Sequence, residues 1–332
     1  MKGYYSGYLV SDHALFPATP YKGKGWIISF EDEPCDATSR DRTLIGGEWC
    51  PAKAVNIYAT SRERAQYVVD TIHAAQCLHS GDFPFFGRPI VVSADSDSAE
   101  QGDRQHQALA APHDVQVSRL PLACLIAVKS SYRKAYQYAL FKYLASHHVF
   151  STSTMGLDPS DWWRPSRFVW DSAEHHVCCA YAIVLAYSVL EELSLDLRAS
   201  EENPSRIDGE WNPNVRHELE ARLKKAGINL SETILWILRD TPTRIERTRP
   251  PRIQSRAHWA GLKVRDSKVA LVDAIADTSW LRSRVSAHKL GELAASLSYY
   301  DVVNAQHVAR RLLLEKLGFW RYQERVRKHT GG

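Results

Sequence analysis

The sequence has no apolar run long enough to span a bilayer and no secretion signal at its start. Its longest apolar run, residues 177–190, is shorter than the roughly 20 residues that a transmembrane helix needs. The N-terminus lacks a charged region followed by an apolar region and a small-residue cleavage site. We therefore expect a cytoplasmic protein without membrane partners.

Recognisable metal, cofactor and hydrolase motifs are also lacking. The six cysteines form no CxxC pair and no Cys/His cluster with zinc-finger spacing. The chain has no glycine-rich phosphate loop, no Ser/His/Asp elbow and no clustered metal-binding carboxylates. We therefore expect neither a bound metal nor a cofactor.

The chain is nevertheless long enough, at 332 residues with 44% hydrophobic content, for two domains. Short β-branched and aromatic runs at 25–30, 54–58 and 89–93 predict strands. Between them, Thr60 or Ser61 is a predicted N-cap for a helix that Gly81 ends. A polar segment at 93–113 reads as a linker. We therefore expect a small α+β domain at 1–115, with a sensing or partner-binding role.

Residues 116–332 have helical periodicity almost throughout, which predicts an all-α helical bundle as the second domain. The run at 177–190 is apolar nearly all round and predicts a central helix. Ser298 is the predicted N-cap of the last helix, which Gly318 ends. The other predicted helices cover Leu122–Phe150, Val215–Ala226, residues 232–240 after a Ser231 cap, and Ser267–Gly291.

Positive charge is concentrated just before the Ser267 segment. Residues 239–268 contain nine Lys or Arg against three acids, although the formal net charge of the chain is only +4. Clustered arginines can supply sequence-independent contacts to phosphates. A solvated charged linker would have the same composition.

Two arginine–histidine pairs with four to six intervening residues occur, Arg252–His258 and Arg282–His288. This spacing alone is uninformative, because roughly three or four such pairs are expected by chance. Only the second pair falls on a predicted helix within the bundle, with Gly291 and one more long helix after it. A solvated helix end is the simplest alternative explanation of these residues.

In this context residues 117–320 resemble a HEPN domain (higher eukaryotes and prokaryotes nucleotide-binding), a helical bundle whose ribonuclease members carry Arg, a polar residue and then His. Arg282, Ser283 and His288 match that pattern here, and Glu191 and Glu192 end the central helix. The family often has Asn after the Arg and Gly directly after the His, where this chain has Ser283 and Lys289. The resemblance implies a HEPN-like bundle after the α+β domain.

What the resemblance implies about activity is metal-independent RNA cleavage by 2′-hydroxyl attack, as in defence or toxin systems. Histidine suits the proton transfers near neutral pH, and arginine binds phosphate oxygens while staying charged. His288 cannot readily make both transfers within one chain, so a composite site in a homodimer is implied. Arg282 and His288 are the expected catalytic residues, with Ser283, Arg284 and Glu192 as supporting or phosphate-binding residues.

Helix geometry leaves the partner of His288 open. At about 100° per residue, Arg282 lies roughly 120° around an ideal helix from His288, and Arg284 only about 40° away. The family spacing favours Arg282, whereas the ideal helix favours Arg284. A catalytically inactive HEPN-type module that binds nucleotides or nucleic acid, or a protein adaptor, is the alternative function.

Overall fold

The computed structural model describes residues 1–9, 19–30, 42–45, 48–81, 91–93, 120–155, 173–238, 254–255, 265–287, 297 and 299–320. These residues form two compact units, Met1–Phe141 and Lys142–Gly332. The first contains an antiparallel sheet with helices, and most of the second is helical. The coarse expectation of an α+β region followed by a helical region is therefore confirmed.

The first unit is built on an antiparallel sheet with strand order β2-β3-β5-β1-β6, and β4 pairs separately with β5. Strand β5 is the longest, and its C-terminal part pairs with β1 at residues 52–59 and with β3 at residues 55–58. The predicted strands at 25–30, 54–58 and 89–93 correspond to β3, β5 and β6. The strands are β1 (Lys2–Leu9), β2 (Tyr21–Gly23), β3 (Trp26–Phe30), β4 (Arg42–Ile45), β5 (Glu48–Ala59) and β6 (Val92–Ser93).

Helix α1 (Arg62–Ser80) begins and ends where the capping residues predict. The hydroxyl of Ser61 accepts a hydrogen bond from the Arg64 backbone N–H at 3.2 Å. Gly81 has φ 81°, in the left-handed region that terminates helices and that a side chain disfavours. Local sequence chemistry is therefore sufficient to set both ends of this helix.

The segment predicted as one helix, Leu122–Phe150, is instead two helices, α2 (Leu120–Ser131) and α3 (Lys134–Met155). The hydroxyls of Ser130 and Ser131 donate to the carbonyls of Ala127 and Val128, at 2.9 and 2.7 Å. Such side-chain bonds compete with helix continuation. The oxygen of Ser131 also accepts from the backbone N–H of Lys24 at 3.0 Å, which ties the end of α2 to the β2–β3 turn.

Helix α2 packs on α1 and β2, so it belongs with the N-terminal sheet. The compact units therefore divide after Phe141, inside α3, whereas the sequence predicts a boundary after residue 115. Residues 94–119, which contain that predicted boundary, lie outside the described residues.

The second unit centres on α4 (Ala173–Glu192), which packs against α6 (Leu271–Ala287) and α7 (Tyr299–Leu317). One face of α4 is buried, but Val177 and Tyr181 are exposed on the other. Helix α5 (Pro213–Lys225) also contacts α6, and β7 (Arg206–Ile207) pairs with β8 (Glu210–Trp211) just before it. Gly227, with φ 82°, follows Ala226, the C-terminal cap of α5.

Helix α4 extends beyond the apolar run at 177–190, and over its 20 residues it is, contrary to the expectation from that run, long and apolar enough, by length and composition, to cross a membrane. It is the one such helix among the described residues, and 56% of its most apolar window is buried inside the protein. Its packing against two other helices is that of a core helix, for which the same composition is required.

The second unit is not all-α as predicted, because a sheet occupies two segments expected to be helical. Strand β9 (Thr233–Leu238) pairs antiparallel with β11 (Arg265–Ala270), and β11 pairs with β10 (Gln254–Ser255). Trp236 is buried while its neighbour Leu235 is exposed, an alternation with strand period. The β-branched residues in this run also favour a strand.

The helix predicted from Ser267 therefore begins only at Leu271, directly after β11. Helix α7 fits its prediction more closely, since it ends before Gly318 at φ 79°. Its apolar face is fully buried and consists of Val302, Ala305, Val308, Ala309, Leu312 and Leu313. Asn304 on α7 accepts from the N–H of Ile237 and donates to its carbonyl, both at 2.8 Å. That pair of bonds joins α7 to β9.

His147 on α3 is buried in a polar cluster with α4 and α7. Next to it, Ser146 donates to the carbonyl of Ala182 at 2.8 Å and accepts from Gln306 at 3.1 Å. Burial, with the nearby charges of Arg310 and His307, lowers the pKa of His147 to about 3. His147 is therefore neutral in the folded protein at physiological pH.

Acidification from pH 7.5 to pH 5 is expected to lower the free energy of unfolding by about 2 kcal/mol through His147. The unfolded state binds a proton below pH about 6.5, whereas the folded state does not until pH about 3, so stability falls across this window. Urea unfolding of His147→Phe at both pH values should show a smaller difference. The adjacent exposed His148, changed to Phe, is the matched control. An unchanged pH dependence in His147→Phe would contradict this assignment.

Candidate functional site

The C-terminal turns of α6 border a cleft that α4 closes from the other side. The helical spacing of Ala276, Ser279 and Ser283 places all three on one face of α6. Tyr187 and Glu191 are four residues apart on α4 and therefore also share a face. The cleft has a volume of about 210 Å³, and its lining residues are Tyr187, Glu191, Asp196, Leu197, Ala199, Ser205, Ala276, Ser279, Trp280, Arg282 and Ser283.

Arg282 lies at this cleft in contact with two residues of α4. Its Nη2 donates to Glu191 Oε1 at 3.0 Å, and its guanidinium carbon is 5.8 Å from the ring centroid of Tyr187. The side chain of Arg282 remains 41% exposed and that of Glu191 38% exposed. The guanidinium is thus oriented by α4 and still accessible to an anion from solvent.

Tyr187 holds the loop that follows α4 against the helix. Its hydroxyl accepts a hydrogen bond from the backbone N–H of Leu197 at 2.9 Å. Burial raises the pKa of Tyr187, which keeps the hydroxyl protonated at neutral pH. This anchor places Asp196, the residue before Leu197, at the cleft.

Asp196 brings a second carboxylate to the cleft besides Glu191. Its Oδ1 is 3.7 Å from Nη1 of Arg222 on α5, and its Oδ2 is 4.0 Å from Nε of Arg198. Both distances exceed hydrogen-bond length, so these arginines balance the charge of the carboxylate without occupying its lone pairs.

Ser283 and Arg284, the two other α6 residues predicted to support the site, differ in their relation to the cleft. Ser283 lines it, and its hydroxyl donates to the carbonyl of Ser279 at 3.0 Å. Arg284 instead has its guanidinium carbon 5.4 Å from the ring centroid of Trp280, which itself lines the cleft.

Glu192 is not the acidic partner of the site arginine. It accepts from Nζ of Lys142 at 2.7 Å, while its neighbour Glu191 pairs with Arg282. Adjacent residues on a helix point about 100° apart, so only one of the two can face α6 directly. The predicted supporting role of Glu192 beside Arg282 is therefore wrong, and Glu191 occupies that position.

His288, the other predicted catalytic residue, lies outside the described residues, since the description of α6 ends at Ala287. Whether it pairs with Arg282 or with Arg284 stays a prediction. Of the two arginines, Arg282 is the one that lines the cleft. Most of the basic stretch at 239–268 also lies outside the described residues.

Tyr187, Asp196, Ser279 and Trp280 were not predicted as site residues. The spacing of Tyr187 and Glu191 on one face of α4 is the one sequence signal that indicates two of the lining residues together. No local pattern connects the loop after α4 to α6, because about 80 residues separate them and packing alone brings them together.

Among the described residues, no group of three or more His, Cys, Asp or Glu side chains is arranged to hold a metal ion. Comparisons of the chain with protein-family models, with curated proteins and with solved structures find no match.

Proposed function

We propose that this chain is a metal-independent endoribonuclease effector of a defence or toxin system. The proposal rests on the resemblance of Arg282, Ser283 and His288 to the HEPN ribonuclease pattern. The observation that carries it is the placement of Arg282 at a solvent-accessible cleft, with its guanidinium oriented by Glu191 and Tyr187 of α4. A preoriented cation of this kind can bind a phosphodiester and stabilise the charge that develops during attack.

In the proposed reaction, the ribose 2′-oxygen attacks the adjacent phosphorus while a histidine accepts its proton. The bond from phosphorus to the 5′-oxygen breaks, and a second proton donor protonates that oxygen. The products are a 2′,3′-cyclic phosphate and a 5′-hydroxyl. Arg282 would neutralise the phosphorane, and His288 from each of two copies would supply the two proton-transfer groups in a homodimer.

The alternative is a catalytically inactive binding or adaptor module. The ion pair between Glu191 and Arg282 favours it, because a carboxylate already accepts a hydrogen bond from Nη2 of the guanidinium. An anion would have to compete with that carboxylate. Because both side chains are substantially exposed, the pair is weak, on the order of 1 kcal/mol or less, and a phosphate can displace the carboxylate.

The test is incubation of the purified chain with single-stranded RNA in excess chelator. We expect cleavage products that end in cyclic phosphate and begin with a 5′-hydroxyl, and we expect His288→Ala to abolish them. The control is His258→Ala, since His258 belongs to the other arginine–histidine pair of the same spacing. Bound but intact RNA would support the alternative module, and equal cleavage by His288→Ala would contradict the assigned site.

A further inference from the structure

The cleft beside Arg282 is the size of a site for one ring system. Pockets that enclose whole drug-sized ligands have volumes of roughly 300–1,000 Å³, and this cleft has about 210 Å³. Its aromatic lining residues are Trp280, which is partly exposed and has the guanidinium of Arg284 over its ring, and Tyr187, which is only 3% exposed. Trp280 is therefore the ring that a base can reach. Aromatic rings and arginine planes are the surfaces on which unstacked bases of single-stranded RNA lie.

Two side chains of the cleft, Asp196 and Ser283, are placed to accept hydrogen bonds from a ligand. Asp196 contributes a carboxylate whose neighbouring arginines are beyond hydrogen-bond distance. The proton of the Ser283 hydroxyl is used on the carbonyl of Ser279, which leaves the oxygen as an acceptor. Arg282 is the cation among the lining residues, and its position suits a phosphate. A ligand that fits this lining presents N–H donors to the cleft and a phosphate to its edge.

Asp196 is also held firmly in place. The leucines on either side of it, Leu195 and Leu197, are buried, and Leu195 donates from its backbone N–H to the carbonyl of Leu190 at 2.9 Å. Leu197 bonds to Tyr187 as described above. A carboxylate on a backbone that is fixed from both sides can discriminate between ligands, because that backbone does not move to suit a poor one.

We infer that this cleft is a nucleobase subsite that selects a base with an exocyclic amino group over uracil, beside a phosphate bound by Arg282. The inference rests on the proposed function, which identifies the ligand as RNA. Adenine, cytosine and guanine each carry an amino group that can donate to Asp196. The one base-edge donor of uracil, N3–H, lies between two carbonyl oxygens, and these repel a carboxylate that approaches it.

The test uses short, labelled 2′-O-methyl oligonucleotides, which lack the attacking hydroxyl and therefore separate binding from cleavage. Fluorescence anisotropy with the full chain should show oligo(A) and oligo(C) binding at least about tenfold more tightly than oligo(U), as expected for a hydrogen bond to a charged group. Asp196→Asn, which can donate as well as accept, should bring the three affinities within about threefold of one another.

Two further variants keep the result interpretable. Glu201→Gln, which removes an exposed acid outside the cleft, should leave the preference unchanged. Trp280→Leu should weaken the binding of all three oligonucleotides by about tenfold without changing the order of their affinities, because stacking on an aromatic ring does not depend on which base stacks. Equal affinities in the wild type, or a preference that persists in Asp196→Asn, would overturn the inference. If the wild type then still cleaves unmodified RNA and Arg282→Ala does not, the proposed function remains supported although the base preference is wrong.

Discussion

Arg282→Ala is expected to reduce the rate of RNA cleavage by about a hundredfold to a thousandfold, the usual cost of removing a group that stabilises the transition state. The same change should lower the free energy of unfolding by less than about 1 kcal/mol. Arg282 and Glu191 are 41% and 38% exposed, and ion pairs in such positions contribute little to stability. Initial cleavage rates and urea unfolding curves of the two proteins measure these effects.

Neighbouring residues provide matched controls for this result. Arg284→Ala removes an arginine two positions away that contacts Trp280, and should cost less than tenfold if Arg282 is the phosphate-binding group. Glu191→Gln removes the competing charge and should tighten RNA binding about threefold, whereas Glu192→Gln, whose partner is Lys142, should not. A larger loss in Arg284→Ala than in Arg282→Ala would move the catalytic assignment to Arg284.

The largest effect on stability is expected from Arg311→Ala, which should lower the free energy of unfolding by about 3–5 kcal/mol. The side chain of Arg311 on α7 is only 5% exposed and forms ion pairs with Glu232, just before β9, and with Glu315. Its guanidinium carbon is 4.3 Å from the ring centroid of Trp320, whose Nε1 donates to Glu232 at 3.1 Å. Removal of the arginine leaves two partly buried carboxylates without their cation.

The control for this prediction is Arg216→Ala, which removes an arginine that also forms an ion pair with a glutamate but lies at the surface. Arg216 binds Glu220 one turn away on α5 at 2.7 Å, with 37% of its side chain exposed, and its loss should cost less than about 1 kcal/mol. The double change Arg311→Met with Glu232→Gln should recover part of the stability lost in Arg311→Ala, because it leaves fewer uncompensated charges. Equal losses for Arg311→Ala and Arg216→Ala, measured by urea unfolding, would contradict this account.

Capping residues and apolar periodicity correctly predicted those helices whose ends are set by residues close in the sequence. Ser61 and Gly81 enclose α1, and Gly227 and Gly318 follow α5 and α7. The prediction of one helix over Leu122–Phe150 failed for a local reason, at Ser130 and Ser131. The predictions over β9 and β11 failed because pairing over a long sequence distance decided the structure. The β9 segment has a helix-like cap at Ser231, but its backbone hydrogen bonds go to β11, about 30 residues away.

For the candidate site, the sequence by itself determined that Arg282 and Ser283 lie on a late helix, and that acids end a long apolar helix, because both are consequences of local periodicity. Only the tertiary structure decided that Glu191 and not Glu192 pairs with Arg282, and that Tyr187, Asp196 and Trp280 complete the cleft. The physical reason is that the two helices meet through packing of their buried faces. The rotation of each helix about its axis, which selects the side chains that meet, depends on the whole core and not on any local pattern.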